Sequence, residues 1–256
     1  MTEQIKDSVE RALAITSKFE GQKGYSNVAG NFDGMGLSFG LFQWNAGKGT
    51  LQPILRNCIK NMPATTKECF GEGYQTLVDM LATDAKFFQW TKTINDRNNR
   101  IIEPWYTRFY KLGLTEGCQK FQMQASIGYL KNAKRIFDNY GFTTDRAFCL
   151  AFDIAIQNGS VTPSATSLYR TRLAAAGANG KSEINKLMIL ANAVADSSRN
   201  LVLNTRNGRP WTIRDDVRSR KLTIVSGQGT VHGKRWDLEK TFGLSDKPAN
   251  FGEHKL

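Results

Sequence analysis

A helix-forming run that must break at Gly21 and pass straight into a glycine-laced loop leaves the N-terminal part of this chain few ways to fold. Ile5, Val9, Ala12, Leu13, Thr16 and Phe19 recur at helical spacing, which predicts a helix over about residues 5 to 20 with one buried stripe. Gly21 is its stop signal. Asn31, Asp33, Gly34 and Gly36 then mark a turn, and Leu37 to Trp44 is apolar enough for a buried strand or hairpin arm. Glu20 therefore ends a helix, and Asp33 sits in a polar turn shortly after it.

These two places suit opposite protonation states. The last helical turn presents negative potential, and burial beside Phe19 adds desolvation, so Glu20 is expected to hold its proton more tightly than a free carboxyl. That suits a general acid. A turn aspartate is surrounded by backbone donors and water, so Asp33 is expected to stay ionised. It could then activate a water molecule or stabilise positive charge on a sugar ring. A neutral carboxyl facing a charged one is what glycoside hydrolysis requires. The bland alternatives are a solvated surface Glu20 and an Asp33 that bonds only its own turn. The fragment from Asn31 to Gly34 also suggests part of a calcium loop, but the later acidic ligands are missing.

Residues 19 to 45 resemble the active-site segment of the lysozyme-like superfamily. They are most similar to the family 46 glycoside hydrolases, the chitosanases, and to related bacterial or phage peptidoglycan hydrolases. The likeness rests on a helix that ends in Glu20 and on the turn Asp33-Gly34-Met35-Gly36-Leu37-Ser38. Gly40-Leu41-Phe42-Gln43 also looks like the Gly-Leu-Met-Gln strand of goose-type lysozymes and lytic transglycosylases. The resemblance implies Glu20 as the acid, Asp33 as the base, and a Ser38 hydroxyl that helps hold the water. It also implies a mainly α, lysozyme-like fold with a small β element, built as a single bilobed domain over residues 1–256 with a cleft between the lobes. An inverting pair would stand roughly 6.5–9.5 Å apart, and a gap of about 5 Å would indicate a retaining route.

Two later islands extend the likeness. Leu150 to Gly159 resembles the family's helix with a supporting aspartate, here Asp153, and Arg218 to Gly227 resembles its arginine-bearing element. Asp153 is expected to pair with Arg220 or Arg218, because a buried charge needs a partner. Tyr25 and Asn27 could line the cleft. Gln43 and Asn45 are candidate polar contacts to sugar hydroxyl or acetamido groups, and Trp44 is the best candidate to stack on a sugar face.

Charge bears on substrate. Lys and Arg number 35 against 23 Asp and Glu, a formal net charge of +12. A basic protein attracts polyanions and repels polycations. Chitosan is cationic, whereas bacterial walls carry acidic peptide stems and envelope polymers. Peptidoglycan glycan strands are thus the expected partner, cut at a β-1,4 bond, with acidic cell-envelope polymers held by the basic surface. A chitosanase or a lytic transglycosylase on the same fold stays open. A protein of another class, binding nucleic acid through the arginine-rich stretch Arg199 to Arg235 or binding walls without catalysis, is the wider alternative. Nucleic acid is disfavoured, because no helix-turn-helix, RRM or zinc-finger pattern appears.

No cofactor is expected. Cys58, Cys69, Cys118 and Cys149 lack CxxC spacing and only His232 and His254 could join them, so no metal site is expected either. Cys58 and Cys69 could close a short loop in an oxidising compartment. No segment is apolar and long enough to span a bilayer. Met1 leads directly into polar Thr2-Glu3-Gln4, without a visible signal peptide, so a wall enzyme would reach its substrate by holin release, virion delivery or injection. Further helices are expected over Tyr74–Ala82, Glu103–Tyr110, Gln119–Asn139 and Ile184–Val202. Inter-lobe hinges are expected near Gly141 and 159–163, and the tail 243–256 is expected to fray.

Overall fold

The computed structural model describes residues 5–254 and 256 apart from 21–23 and 207, with only the backbone of Glu20 described. Helix α1 runs Ser8–Glu20. It starts later than its apolar spacing suggests because Asp7 caps it, accepting from the amides of Val9 and Glu10 at 2.9 Å each. The expected stripe faces inward: Val9, Ala12, Leu13, Thr16 and Phe19 are buried, and Ile15 joins them. Contacts divide the chain into a central unit, Glu20–Ile127, and a terminal unit formed by Met1–Phe19 with Gly128–Leu256.

The central unit begins with a three-stranded antiparallel sheet. Strands β1 (Val28–Ala29), β2 (Ser38–Phe39) and β3 (Trp44–Asn45) pair in that order, with Val28 opposite Phe39 and Ser38 opposite Asn45. Six helices follow: α2 (Gln52–Asn61), α3 (Pro63–Phe70), α4 (Tyr74–Met80), α5 (Asp84–Thr93), α6 (Trp105–Leu114) and α7 (Glu116–Ala125). Pro63 and Pro104 stand at helix starts, where a missing amide costs nothing. Phe39 of the sheet meets Phe109 of α6 at 5.8 Å between ring centroids, and Phe109 meets Phe70 of α3 edge-on at 5.1 Å. This aromatic chain fastens the sheet to the helices.

The terminal unit contains α8 (Ile127–Asn139, entering from the central unit), α9 (Asp145–Asn158), α10 (Pro163–Ala176) and α11 (Glu183–Asp196). These are followed by hairpin β4–β5 (Val202–Arg206, Arg209–Thr212), α12 (Ile213–Ser226), hairpin β6–β7 (Gln228–Val231, Lys234–Asp237) and α13 (Leu238–Phe242). Helix α9 is buried at every position from Asp145 to Ala155, the signature of a core helix. Thr144 caps its start, and a reciprocal capping box of Thr212 and Asp215 starts α12.

Mainly helical architecture with small antiparallel sheets is as expected, but several boundaries differ. The run from Gln119 to Asn139 is two helices. The chain breaks at Ser126, whose hydroxyl donates back to the Met123 carbonyl at 2.7 Å. On α7 the buried face is Cys118, Gln122 and Ser126, not Phe121 and Ala125. Helix α11 ends at Asp196, and Val202 opens β4 instead of closing a helix. Gly141 and Gly159 follow α8 and α9 inside the terminal unit with φ of 63° and 77°, whereas the chain passes between units at 19/20 and 127/128. The tail is anchored as well. Asp145 and Arg146 donate backbone bonds to the carbonyls of Lys247 and Ser245, Ala249 donates to Thr143, and Ser8 donates to Asn250. Phe251 packs on Phe148 and Phe137 at centroid distances of 4.9 and 5.8 Å. Among the described residues no helix is long and apolar enough to cross a membrane.

Candidate active site

Asp33 lies in a turn that both its neighbours and its own side chain help to hold. The Asn31 side chain accepts from the Gly36 amide at 2.7 Å, and Gly34 donates to the Asn31 carbonyl at 3.3 Å. Asn95, reaching in from the end of α5, accepts from the Asn31 amide at 2.9 Å. Gly36 is required twice over: its φ is 77°, and a Cβ there would stand 2.3 Å from the Thr91 hydroxyl oxygen. Asp33 itself accepts one bond, from the Met35 amide at 3.1 Å, and is exposed. Its remaining carboxylate lone pairs face solvent, so they are open to a water molecule or substrate. Beside it Phe32 and Met35 are also exposed, at 66% and 36%.

The β element is braced by a residue that sequence reasoning missed. Gln122 is fully buried in α7. Its Oε1 accepts from the Leu41 amide and its Nε2 donates to the Tyr25 carbonyl, both at 2.9 Å. One amide side chain thus ties the loop before β1 to the turn after β2. Gly40 makes room for it, since a Cβ there would lie 2.3 Å from Gln122 Oε1. The available signal was a polar residue four positions after Cys118 and four before Ser126, all on one helix face.

The remaining expected contacts divide. Tyr25, Asn27 and Gln43 are half-buried and line this segment. Gln43 has φ of 52°, a left-handed conformation rare for its type, and its side chain donates to the Gly40 carbonyl at 3.0 Å. Ser38 and Asn45 are buried and bond each other, Asn45 Nδ2 donating to Ser38 Oγ at 2.8 Å. Asn45 also accepts from the Lys48 amide at 3.2 Å, so its polar groups serve the sheet. Trp44 is only 3% exposed and packs edge-on against Phe42 at 5.5 Å between centroids. A buried indole has no face free for a sugar, so it is a core residue of the sheet.

Behind α1 lies a buried ion cluster. Asp153 of α9 accepts from Arg220 at 2.6 Å and from Lys221 at 3.0 Å, and all three side chains are at most 3% exposed. Burial pushes the Asp153 carboxyl up, but the charges and hydrogen bonds of Arg220 and Lys221 outweigh it and hold the carboxyl below its ordinary value. Lys221, which the sequence did not single out, also donates to Gln157 at 2.7 Å. Arg218 does not join them. It turns to Asp196, which Arg172 also grips at 2.7 Å. One helical position separates Arg218 from the buried face of α12. The Arg220 guanidinium stands 5.6 Å from the centroid of the Phe19 ring, and Trp236 meets that ring edge-on at 5.9 Å. The cluster therefore packs against the last turn of α1, one residue before Glu20. The Glu20 side chain lies outside the described residues.

The backbone is similar to that of several solved structures. A chitosanase from Bacillus subtilis MY002 superposes with a TM-score of 0.56 over 92% of this chain and 98% of its own, at 19% identity. The chain has the chitosanase fold. A mutant of that Bacillus enzyme complexed with 6 GlcN gives a TM-score of 0.55 over 92% of this chain and 98% of its own, also at 19% identity. The GH46 chitosanase of Gynuella sunshinyii, complexed with chitotetraose, gives 0.55 over 91% and 98% of the two chains at 13% identity. No family model matches the sequence, and no curated protein matches it. The likeness is one of backbone architecture, as these identities are too low to carry more.

Proposed function

We propose that this protein is a glycoside hydrolase that cuts β-1,4 bonds of an amino-sugar polymer, with peptidoglycan glycan strands as its substrate. One observation carries the reading: within a chitosanase fold covering 92% of the chain, α1 ends in a glutamate and an exposed Asp33 follows in a rigid turn. Glu20 protonates the leaving oxygen. Asp33 takes a proton from water as that water attacks the opposite face of the ring, which inverts the anomeric centre. The Asp153 cluster holds the end of α1, and Gln122 holds the loop and sheet that carry Asp33 and Gln43. Gln43 is the candidate sugar contact, its strained backbone aiming a half-buried amide. Ser38 acts through Asn45 and the sheet. The net charge of +12 favours an acidic envelope over a cationic polymer. Delivery to that envelope would follow holin release, virion entry or injection.

A second reading has its own support. The superposing enzymes are chitosanases, one complexed with 6 GlcN and one with chitotetraose. Incubation of the protein with purified sacculi and, separately, with chitosan distinguishes the two. Mass spectrometry of the fragments is expected to show new reducing ends from sacculi and little release from chitosan. The reverse pattern makes it a chitosanase, an anhydro sugar makes it a transglycosylase, and no fragment from either removes the hydrolytic reading.

A further inference from the structure

The terminal unit contains a cavity of about 620 Å³ between α8, α10 and the loop after α9, with Lys186 reaching in from α11. Its lining includes Arg135, Arg170 and Lys186 and no carboxylate. Among the described residues none of these three cations has an acidic partner within 4.0 Å. Arg135 donates to the neutral Asn132 side chain at 2.7 Å. The carboxylates nearby in sequence are engaged elsewhere. Asp138 pairs with Lys134 at 2.7 Å, and Glu183 accepts four bonds from Thr143 and Thr144. Asp196 is held by Arg172 and Arg218. The floor carries Tyr140 and Tyr169, whose rings meet edge-on at 4.9 Å, and the Tyr140 hydroxyl bonds that of Thr166 at 3.1 Å. A second depression of about 420 Å³ shares Val161, Thr166 and Arg170 with the first, so the concavity continues along α10.

Three cations converging on one hollow repel each other, and an anion relieves that repulsion while gaining charge-assisted hydrogen bonds from the guanidinium groups. The tyrosine rings and neutral hydroxyl and amide groups suit a hydroxylated carbon chain, and the volumes of the two adjoining depressions suit a polymer segment rather than a single ion. We propose that this cavity is a binding site for an acidic carbohydrate or polyol chain, held through its phosphate or carboxylate oxygens by Arg135, Arg170 and Lys186. It shares no residue with the candidate catalytic set and lies wholly within the terminal unit. It does not depend on the hydrolytic reading.

Calorimetric titration of the full chain at low salt tests this without turnover. The probes are a glycerol phosphate trimer, a trigalacturonic acid and, as neutral control, maltotriose. At least one acid is expected to bind saturably, more weakly as salt rises, while maltotriose does not. Tighter binding of the glycerol phosphate points to a polyol phosphate in the envelope, and tighter binding of the uronic acid points to a carboxylate polymer. Arg135 and Arg170 are exposed, so the double variant Arg135→Gln/Arg170→Gln should keep its Tm and bind the preferred acid about tenfold more weakly or worse. Lys186→Gln, on another helix, should weaken it in the same direction. Equal binding of maltotriose, binding by neither acid, or an unchanged affinity in the double variant and in Lys186→Gln overturns the assignment.

Discussion

Exchanging one carboxyl oxygen for an amide nitrogen at Glu20 and at Asp33 tests the two proposed roles. Glu20→Gln removes the transferable proton, and kcat is expected to fall about 10²- to 10⁴-fold on sacculi while wall binding persists. Asp33→Asn should cost a similar factor if water is activated, and little if the enzyme is a transglycosylase that uses a single acid. Assaying both variants on the same sacculi therefore reads the mechanism, and an active Glu20→Gln protein removes that residue from it. Asp153 makes a prediction of another kind. Asp153→Ala leaves Lys221 and Arg220 buried and facing each other. Uncompensated burial of this sort costs about 3–5 kcal/mol, to be measured by urea unfolding. The folded Asp153 carboxyl titrates below its unfolded value of about 3.9, so its contribution is complete above that pH and is lost as pH falls through the lower folded value. Wild-type unfolding free energy should thus drop more steeply below pH ~4 than that of the alanine variant. Parallel acid profiles would mean the pair contributes nothing.

At the scale of elements, local chemistry was legible and tertiary chemistry was not. The stripe of α1 and the turn around Asp33 were readable because helical spacing and turn-forming residues act on near neighbours. Gly208 and Gly233, with φ of 74° and 80°, mark the turns of β4–β5 and β6–β7, and each follows a polar residue in the manner of a tight hairpin. That signal lay in a stretch whose arginines suggested a polyanion surface instead. Trp44, Ser38 and Asn45 looked available for substrate because no local pattern records that the sheet folds them inward. Nor does any local pattern record that Gln122 crosses the unit interior to hold the Tyr25 and Leu41 backbones. Gln122→Leu would remove both of these buried bonds, a cost of up to about 1–3 kcal/mol each if water stays out. Ser38→Ala removes one acceptor from Asn45 and should cost about 1 kcal/mol. We expect Gln122→Leu to lower both Tm and kcat, and Ser38→Ala to act mildly on both. A Ser38→Ala enzyme with native Tm but no turnover would instead place the hydroxyl in the chemistry.

For the whole molecule, the feature least visible in the sequence is that the start of α1 meets the segment around Asn250. Ser8, at the start of α1, donates to the Asn250 carbonyl at 2.8 Å, and the Asn250 amide donates back to the Ser8 hydroxyl at 3.0 Å. Arg11 then bonds the Phe242 carbonyl at 2.9 Å and Asp145 at 2.7 Å, fastening α1 to both α13 and α9. A polar tail with small residues would otherwise fray, but Phe251 supplies an anchor between Phe137 and Phe148. The far end of the same helix carries Glu20, so the docked tail and the proposed acid share one helix. Phe251 is half-buried, and Phe251→Ala should destabilise the protein by about 2 kcal/mol, less than the 3–5 of a fully enclosed ring. Hydrogen exchange should then quicken at the first turn of α1 and at 245–252, with kcat falling and KM little changed if the helix sets the position of the acid. Accelerated exchange confined to the tail, with native kcat, would show that α1 holds its place through Arg11 and the Asp153 cluster alone.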